Sequence, residues 1–115
     1  MTSIKLFILS NIDSVHTQRW VMALSQRGCT LFLFGINGVN LDFYTKLNNV
    51  TVQNYTYKYR ANTLFSIILR RFESLRLYRL VRSKIKEFQP DIVHAHYAVD
   101  YGTLGVLSRF HPFVL

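Results

Sequence analysis

The chain has 115 residues, half of them hydrophobic, and fourteen basic against six acidic side chains give a formal net charge of +8. That length supports one domain with a real core and excludes a two-domain enzyme. A single cysteine, Cys29, excludes an intramolecular disulfide and suits a reducing compartment; Lys5 interrupts the short apolar N-terminus, which does not read as a signal peptide, and no apolar run reaches the roughly 18–20 residues that cross a bilayer.

The elements alternate along the chain. Ile4-Lys-Leu-Phe-Ile-Leu9 reads as a buried parallel strand. The loop Ser10-Asn-Ile-Asp-Ser-Val-His16 follows, without the glycines of a phosphate-binding turn. The first helix covers about Thr17 to Gln26, with Ser14 as N-cap, Gly28 just past its end, and Trp20, Val21, Ala23 and Leu24 as its apolar stripe. Cys29–Phe34 is the second strand, ended by Gly35 and an Asn37-Gly38 turn, and Val50–Tyr55 is a weaker third.

A helical region then runs from about Asn62 to Phe88 and stops at Pro90. At 100° per residue, Leu64, Ile68, Phe72 and Leu75 fall on one side, and Leu77, Val81, Ile85 and Phe88 nearly opposite. One straight helix cannot bury both stripes against one sheet, so a break is expected around Glu73–Arg76. Asp91–His96 is the fourth strand, Tyr101–Phe110 a further helix, and His111–Leu115 the opening of a fifth strand.

This order predicts an α/β fold, a Rossmann-like three-layer α/β/α domain with a mainly parallel sheet, as a single unit over residues 1–115. Ligands of such sheets sit beyond the carboxyl ends of the strands, at the switch in strand order. For a Rossmann-type order that switch lies between strands one and four, so the loop Asn11–His16 and the segment His96–Asp100 should face one crevice.

The residues able to carry chemistry gather there. His94 and His96 lie two apart on a strand and share a face, a metal-ligand spacing. A third ligand would have to be Asp100, Asp13 or His16, and no metal is expected. His94 is expected as a core histidine bonded to backbone, and His96, nearer the strand end, as a site residue. The start of the first helix favours anions, with Asp13 and Ser14 also available as caps. No Gly-x-Ser-x-Gly turn marks a nucleophile, and Cys29 reads as inert core.

The charge is concentrated. Lys58, Arg60, Arg70, Arg71, Arg76, Arg79, Arg82, Lys84 and Lys86 face a single acidic residue, Glu73, within residues 58–86. A solvated helix face, an anionic membrane or lipid-phosphate contact, and single-stranded nucleic acid all fit a basic run. Interleaved Tyr55, Tyr57, Tyr59, Phe65 and Phe72 favour the membrane, with Arg60, Arg70, Arg71 and Arg76 as its contacts. No recognisable nucleic-acid module is present, and nucleic acid is not the expected partner.

Ser14-Val-His-Thr-Gln-Arg-Trp20, Leu24-x-x-x-Gly28 and Gln89-Pro-Asp-Ile-Val-His-Ala-His-Tyr97, in this order, resemble the N-terminal domain of glycosyltransferase family 4-like proteins over nearly the whole chain. The resemblance implies one half of a GT-B enzyme, the acceptor-holding half, with the nucleotide-sugar bound mainly by a C-terminal domain through basic residues and a Glu-x7-Glu motif. It implies a hexosyltransferase parent, metal-independent transfer with no cofactor beyond the donor co-substrate, and an acceptor pocket at Asn11, Asp13, His16, His96, Tyr97 and Asp100. The acceptor expected is a surface polysaccharide or lipid-linked glycan, and the location the cytoplasmic side of a membrane, held peripherally. The last residues, Phe113-Val-Leu115, fall within a strand of the family, so the expectation is an incomplete domain that by itself transfers no sugar. Its open sheet edge would favour self-association. The competing expectations are a flavodoxin-like binding module without catalysis and a basic nucleic-acid binder.

Overall fold

The computed structural model describes residues 4–60, 62–96, 113 and 114. The expected helix over Tyr101–Phe110 and the site positions Tyr97 and Asp100 lie outside these residues.

Five parallel strands form one sheet: β1 (Lys5–Leu9), β2 (Thr30–Ile36), β3 (Val50–Tyr55), β4 (Ile92–Ala95) and β5 (Phe113–Val114), in the spatial order β3-β2-β1-β4-β5. The order reverses between β1 and β4, where Leu9 sits opposite Ala95. Helix α1 (Val15–Gln26) follows β1, and helix α2 (Leu64–Phe88) joins β3 to β4.

Alternation of side chains along the strands divides the core in two. Phe7, Leu9, Phe32, Phe34, Val93 and Ala95 pack with Leu77, Val81 and Ile85 of α2. Ile8, Leu31 and Leu33 point the other way and pack with Val21 of α1, Ile12 and Tyr44. The result is the three-layer α/β/α arrangement expected from the alternating pattern.

Three details differ from the expectations. Gly35 lies inside β2 rather than ending it. A Cβ there would run into the side chain of Ile12, which is fully buried, and would also stand 3.1 Å from the Ser10 carbonyl oxygen. The glycine that allows close approach to the first loop is therefore on the neighbouring strand. A short 3-10 helix over Asp42–Lys46 follows β2 and buries Tyr44, whose hydroxyl donates to the Ile12 carbonyl at 2.7 Å.

The third difference is α2, which runs unbroken for 25 residues. Only one of its two apolar stripes is buried, so no break is needed. Thr63 and Ser66 close its start as a reciprocal cap, and Gln89 ends it in the left-handed conformation, φ +51°, before Pro90. Midway, the buried Glu73 carboxylate accepts from the Tyr55 hydroxyl at 2.8 Å and from the amides of Lys58 and Tyr59 at 2.7 and 3.3 Å. Arg70 donates to the Tyr59 carbonyl at 2.9 Å and lies 3.4 Å over the Tyr57 ring. The β3–α2 connection is thus clamped to the middle of the helix.

Candidate functional site

The crevice forms where β1 and β4 end side by side. The His96 amide donates to the Leu9 carbonyl at 2.9 Å, which continues the pairing one residue beyond β4. Ser10, the residue after β1, is fully buried, and its hydroxyl bridges two elements. It lies 2.9 Å from Nδ1 of His96 and 2.7 Å from the buried Thr17 hydroxyl on α1. A Thr17–Ser10–His96 chain therefore fixes one ring nitrogen of His96. Nε2 has no hydrogen-bond partner among the described residues.

His16 comes from the first turn of α1, with its ring 6.2 Å from that of His96. Its Nε2 accepts from the Trp20 indole N–H at 3.1 Å, one helical turn on. Trp20 also meets His94 and His96 edge-on at 6.3 and 6.2 Å between centroids, and the His94 and His96 rings stand 4.7 Å apart. Three imidazoles thus surround one indole. Trp20 keeps 44% of its surface exposed and Ala23 is exposed too, so α1 turns only part of its expected apolar stripe to the core. The buried positions are Thr17 and Val21.

Burial holds both strand histidines below the ordinary imidazole range. For His96, burial first and then the charges of His94 and His16 push the value down to about 4. His94 is lowered by burial. Among the described residues its ring makes aromatic contacts and no hydrogen bond, in place of the expected bond to backbone. Both rings are neutral near pH 7, so each carries one N–H donor and one nitrogen acceptor, and in His96, whose Nδ1 is held by Ser10, Nε2 is the nitrogen left for a ligand. That equipment suits the recognition of hydroxyl groups.

The other loop residues divide. Exposed Asn11 turns its side-chain oxygen back to the Asp13 amide at 3.0 Å. Asp13 does not cap α1. Its carboxylate accepts from the amides of Val39 at 3.0 Å and Asn40 at 2.7 Å, tying the first loop to the segment after β2. Ser14 occupies the N-cap position without a side-chain cap bond, and no acidic residue lies in the first turn of α1. The positive end of this helix is left for solvent or ligand beside His16. From His16 and Trp20 an open groove of about 390 Å³ follows α1 past Arg19, Ala23, Leu24 and Arg27.

The sequence reading missed Ser10, Thr17 and Ile12. A serine ending an apolar strand and a threonine opening a helix stripe were the available signals, but only the packed crevice brings them together. No group of three or more His, Cys, Asp or Glu side chains suited to a metal ion occurs among the described residues. Arg60, Arg71 and Arg76 lie exposed around α2, away from the crevice, and Arg70 is engaged with Tyr57 and Tyr59.

Among curated proteins none matches the chain. A family model described as glycosyl transferase 4-like matches residues 5–115.

Proposed function

From its membership of the glycosyl transferase 4-like family, we propose that this chain is the acceptor-holding domain of a glycosyltransferase, which moves a sugar from a nucleotide-sugar to a polysaccharide or lipid-linked glycan. The supporting observation is the convergence of His16 and His96 at the carboxyl ends of β1 and β4. The neutral His96 ring can donate to or accept from a sugar hydroxyl, and the partly exposed Trp20 ring offers a surface for the apolar face of a pyranose. His96, held by Ser10, orients an acceptor hydroxyl through Nε2. With its proton affinity reduced, it acts as a hydrogen-bonding group more than as a strong base.

The donor belongs to a second Rossmann-like unit in this reading. The full enzyme is a hexosyltransferase that needs no metal and works peripherally at the cytoplasmic face of a membrane. Residues 1–115 by themselves then bind acceptor and transfer no sugar.

Two-dimensional NMR of the labelled chain tests this. Short oligosaccharides, a lipid-linked oligosaccharide in detergent and several nucleotide-sugars would be titrated in turn. The expected result is shifts at Ser10, His16, Trp20 and His96 with an acceptor glycan, lost in His96→Ala, and none with nucleotide-sugar. Shifts at these residues with nucleotide-sugar alone would overturn the acceptor assignment, and turnover by the chain would overturn the division of labour.

A further inference from the structure

The outer face of α2 has no part in the crevice. Leu64, Phe65, Phe72 and Leu75 are 78%, 71%, 63% and 57% exposed, and Ile68 is exposed among them. These side chains fall on one side of the helix axis, roughly 180° from the buried Leu77, Val81 and Ile85 stripe. Such a run of large apolar side chains on one exposed face marks a contact site.

What the stripe meets follows from the residues that continue it. Beyond Leu75 the same face turns basic, with Arg76, Arg79 and Arg82, while Arg71 flanks the apolar part. One exposed carboxylate, Glu87, lies beside Arg79, Arg82 and Lys86 toward the end of the helix. Glu73 is buried against the opposite side, and Glu87 pairs with Lys84 at 3.5 Å. Lys58 and Arg60 add exposed charge from the connection before the helix. A protein partner would have to match an apolar strip running directly into a dense cationic one. A bilayer of anionic lipids offers both at once, acyl chains below and phosphates above. Arginine suits the boundary, because its aliphatic stem lies along apolar surface while the guanidinium reaches phosphate. No helix among the described residues is long and apolar enough to cross a membrane, which leaves contact along the surface for this face.

We propose that the outer face of α2 docks the protein on an anionic lipid surface, with Leu64, Phe65, Ile68, Phe72 and Leu75 entering the headgroup boundary and Arg71, Arg76, Arg79 and Arg82 binding lipid phosphates. This does not depend on the sugar chemistry of the crevice, and its test contains no sugar. The clamp of Glu73 and Arg70 on the β3–α2 connection holds the helix so that the face is presented without rearrangement.

The experiment is flotation of the chain with vesicles of phosphatidylcholine alone and with about 30% phosphatidylglycerol added, at about 0.1 M and about 0.5 M salt. Binding is expected to the anionic vesicles and weakened by salt. Phe65→Ser/Phe72→Ser should reduce it at least roughly tenfold. Arg76→Gln/Arg79→Gln/Arg82→Gln should remove the preference for anionic lipid. Phe65, Phe72, Arg76 and Arg79 are exposed and Arg82 is half-buried, so circular dichroism and Tm should change little, and Leu64→Ser/Leu75→Ser supplies a second apolar pair on the same stripe. Failure to float with anionic vesicles would overturn the proposal, as would binding insensitive to both apolar pairs. A dimer that disperses on Phe65→Ser/Phe72→Ser without vesicle binding would assign the stripe to self-association. Salt-sensitive oligonucleotide binding without vesicle binding would assign the charge to nucleic acid. Either result overturns the lipid assignment.

Discussion

Ile12 is fully buried in a loop whose neighbours Asn11 and Asp13 are exposed, and Gly35 makes room for it. The first loop needs no glycine of its own because the strand beside it provides the space. Gly35→Ala should therefore cost about 1–3 kcal/mol by overpacking, and Ile12→Ala in the same chain should relieve the clash while adding a cavity. Urea denaturation of the two variants checks this, with non-additivity as the signature of contact. His96 allows a second prediction. Its folded value near 4 lies below the ordinary 6.5, so the folded chain binds this proton more weakly than the unfolded chain. The associated stability is complete above pH 6.5 and is lost as pH falls toward about 4. His94 contributes with the same sign, and the His16 ring faces the pair. In His96→Asn, the urea midpoint should depend less steeply on pH over this interval, with His94, and Glu73 at its acid end, contributing to the remaining slope.

At the scale of elements, α2 separates burial from hydrophobicity. Leu77→Ala, on the sheet side, should cost about 2–5 kcal/mol, whereas Phe72→Ser, on the outer side, should change stability by no more than about 0.5 kcal/mol. Thermal unfolding of the two variants distinguishes a one-sided helix from one broken at its centre. Glu73 offers another check. Burial opposes its charge, but the Lys58 amide, the Tyr55 hydroxyl, the Tyr59 amide and the Arg70 charge together hold it below the ordinary 4.5. Its contribution is therefore present above the ordinary value and fades as pH falls through the lower folded one. Glu73→Ala leaves three donors without their acceptor and should loosen the β3–α2 connection, seen as faster amide exchange at Lys58 and Tyr59.

These contrasts mark what was legible in the sequence. Short apolar runs identified β1 and β4 within a residue or two, because central strands covered on both faces have little polar surface, whereas β3, half-buried at the sheet edge, showed only as a weaker β-branched run. Periodicity found both stripes of α2 but assumed both must be buried. Glycine read as a stop hid the last residues of β2, since its use there is close approach and not a turn. The 3-10 helix at Asp42–Lys46 has no periodicity long enough to be seen.

Across the whole molecule, the site follows from strand order. Ser10 and His96 are 86 residues apart and meet because β1 and β4 are neighbours. That placement was legible once the alternating pattern was recognised. The Thr17–Ser10–His96 chain was not, because hydroxyl networks depend on packed side-chain geometry and leave no periodic trace. The same architecture predicts a gradient of protection. Amides of β1 and β2, buried in both halves of the core, should exchange slowest, and those of residues 64–72, backed by little apolar packing, fastest among the helices. Hydrogen exchange at neutral pH checks the order.

Trp20 is the chain's single tryptophan and sits among three imidazoles at the mouth of the crevice. A protonated imidazole quenches indole emission by accepting its excited electron, whereas a neutral ring does so weakly. The crevice thus carries a native optical gauge. Emission should dim as His94 and His96 gain protons, and any ligand that covers the indole or parts the rings should change its colour and intensity without a label.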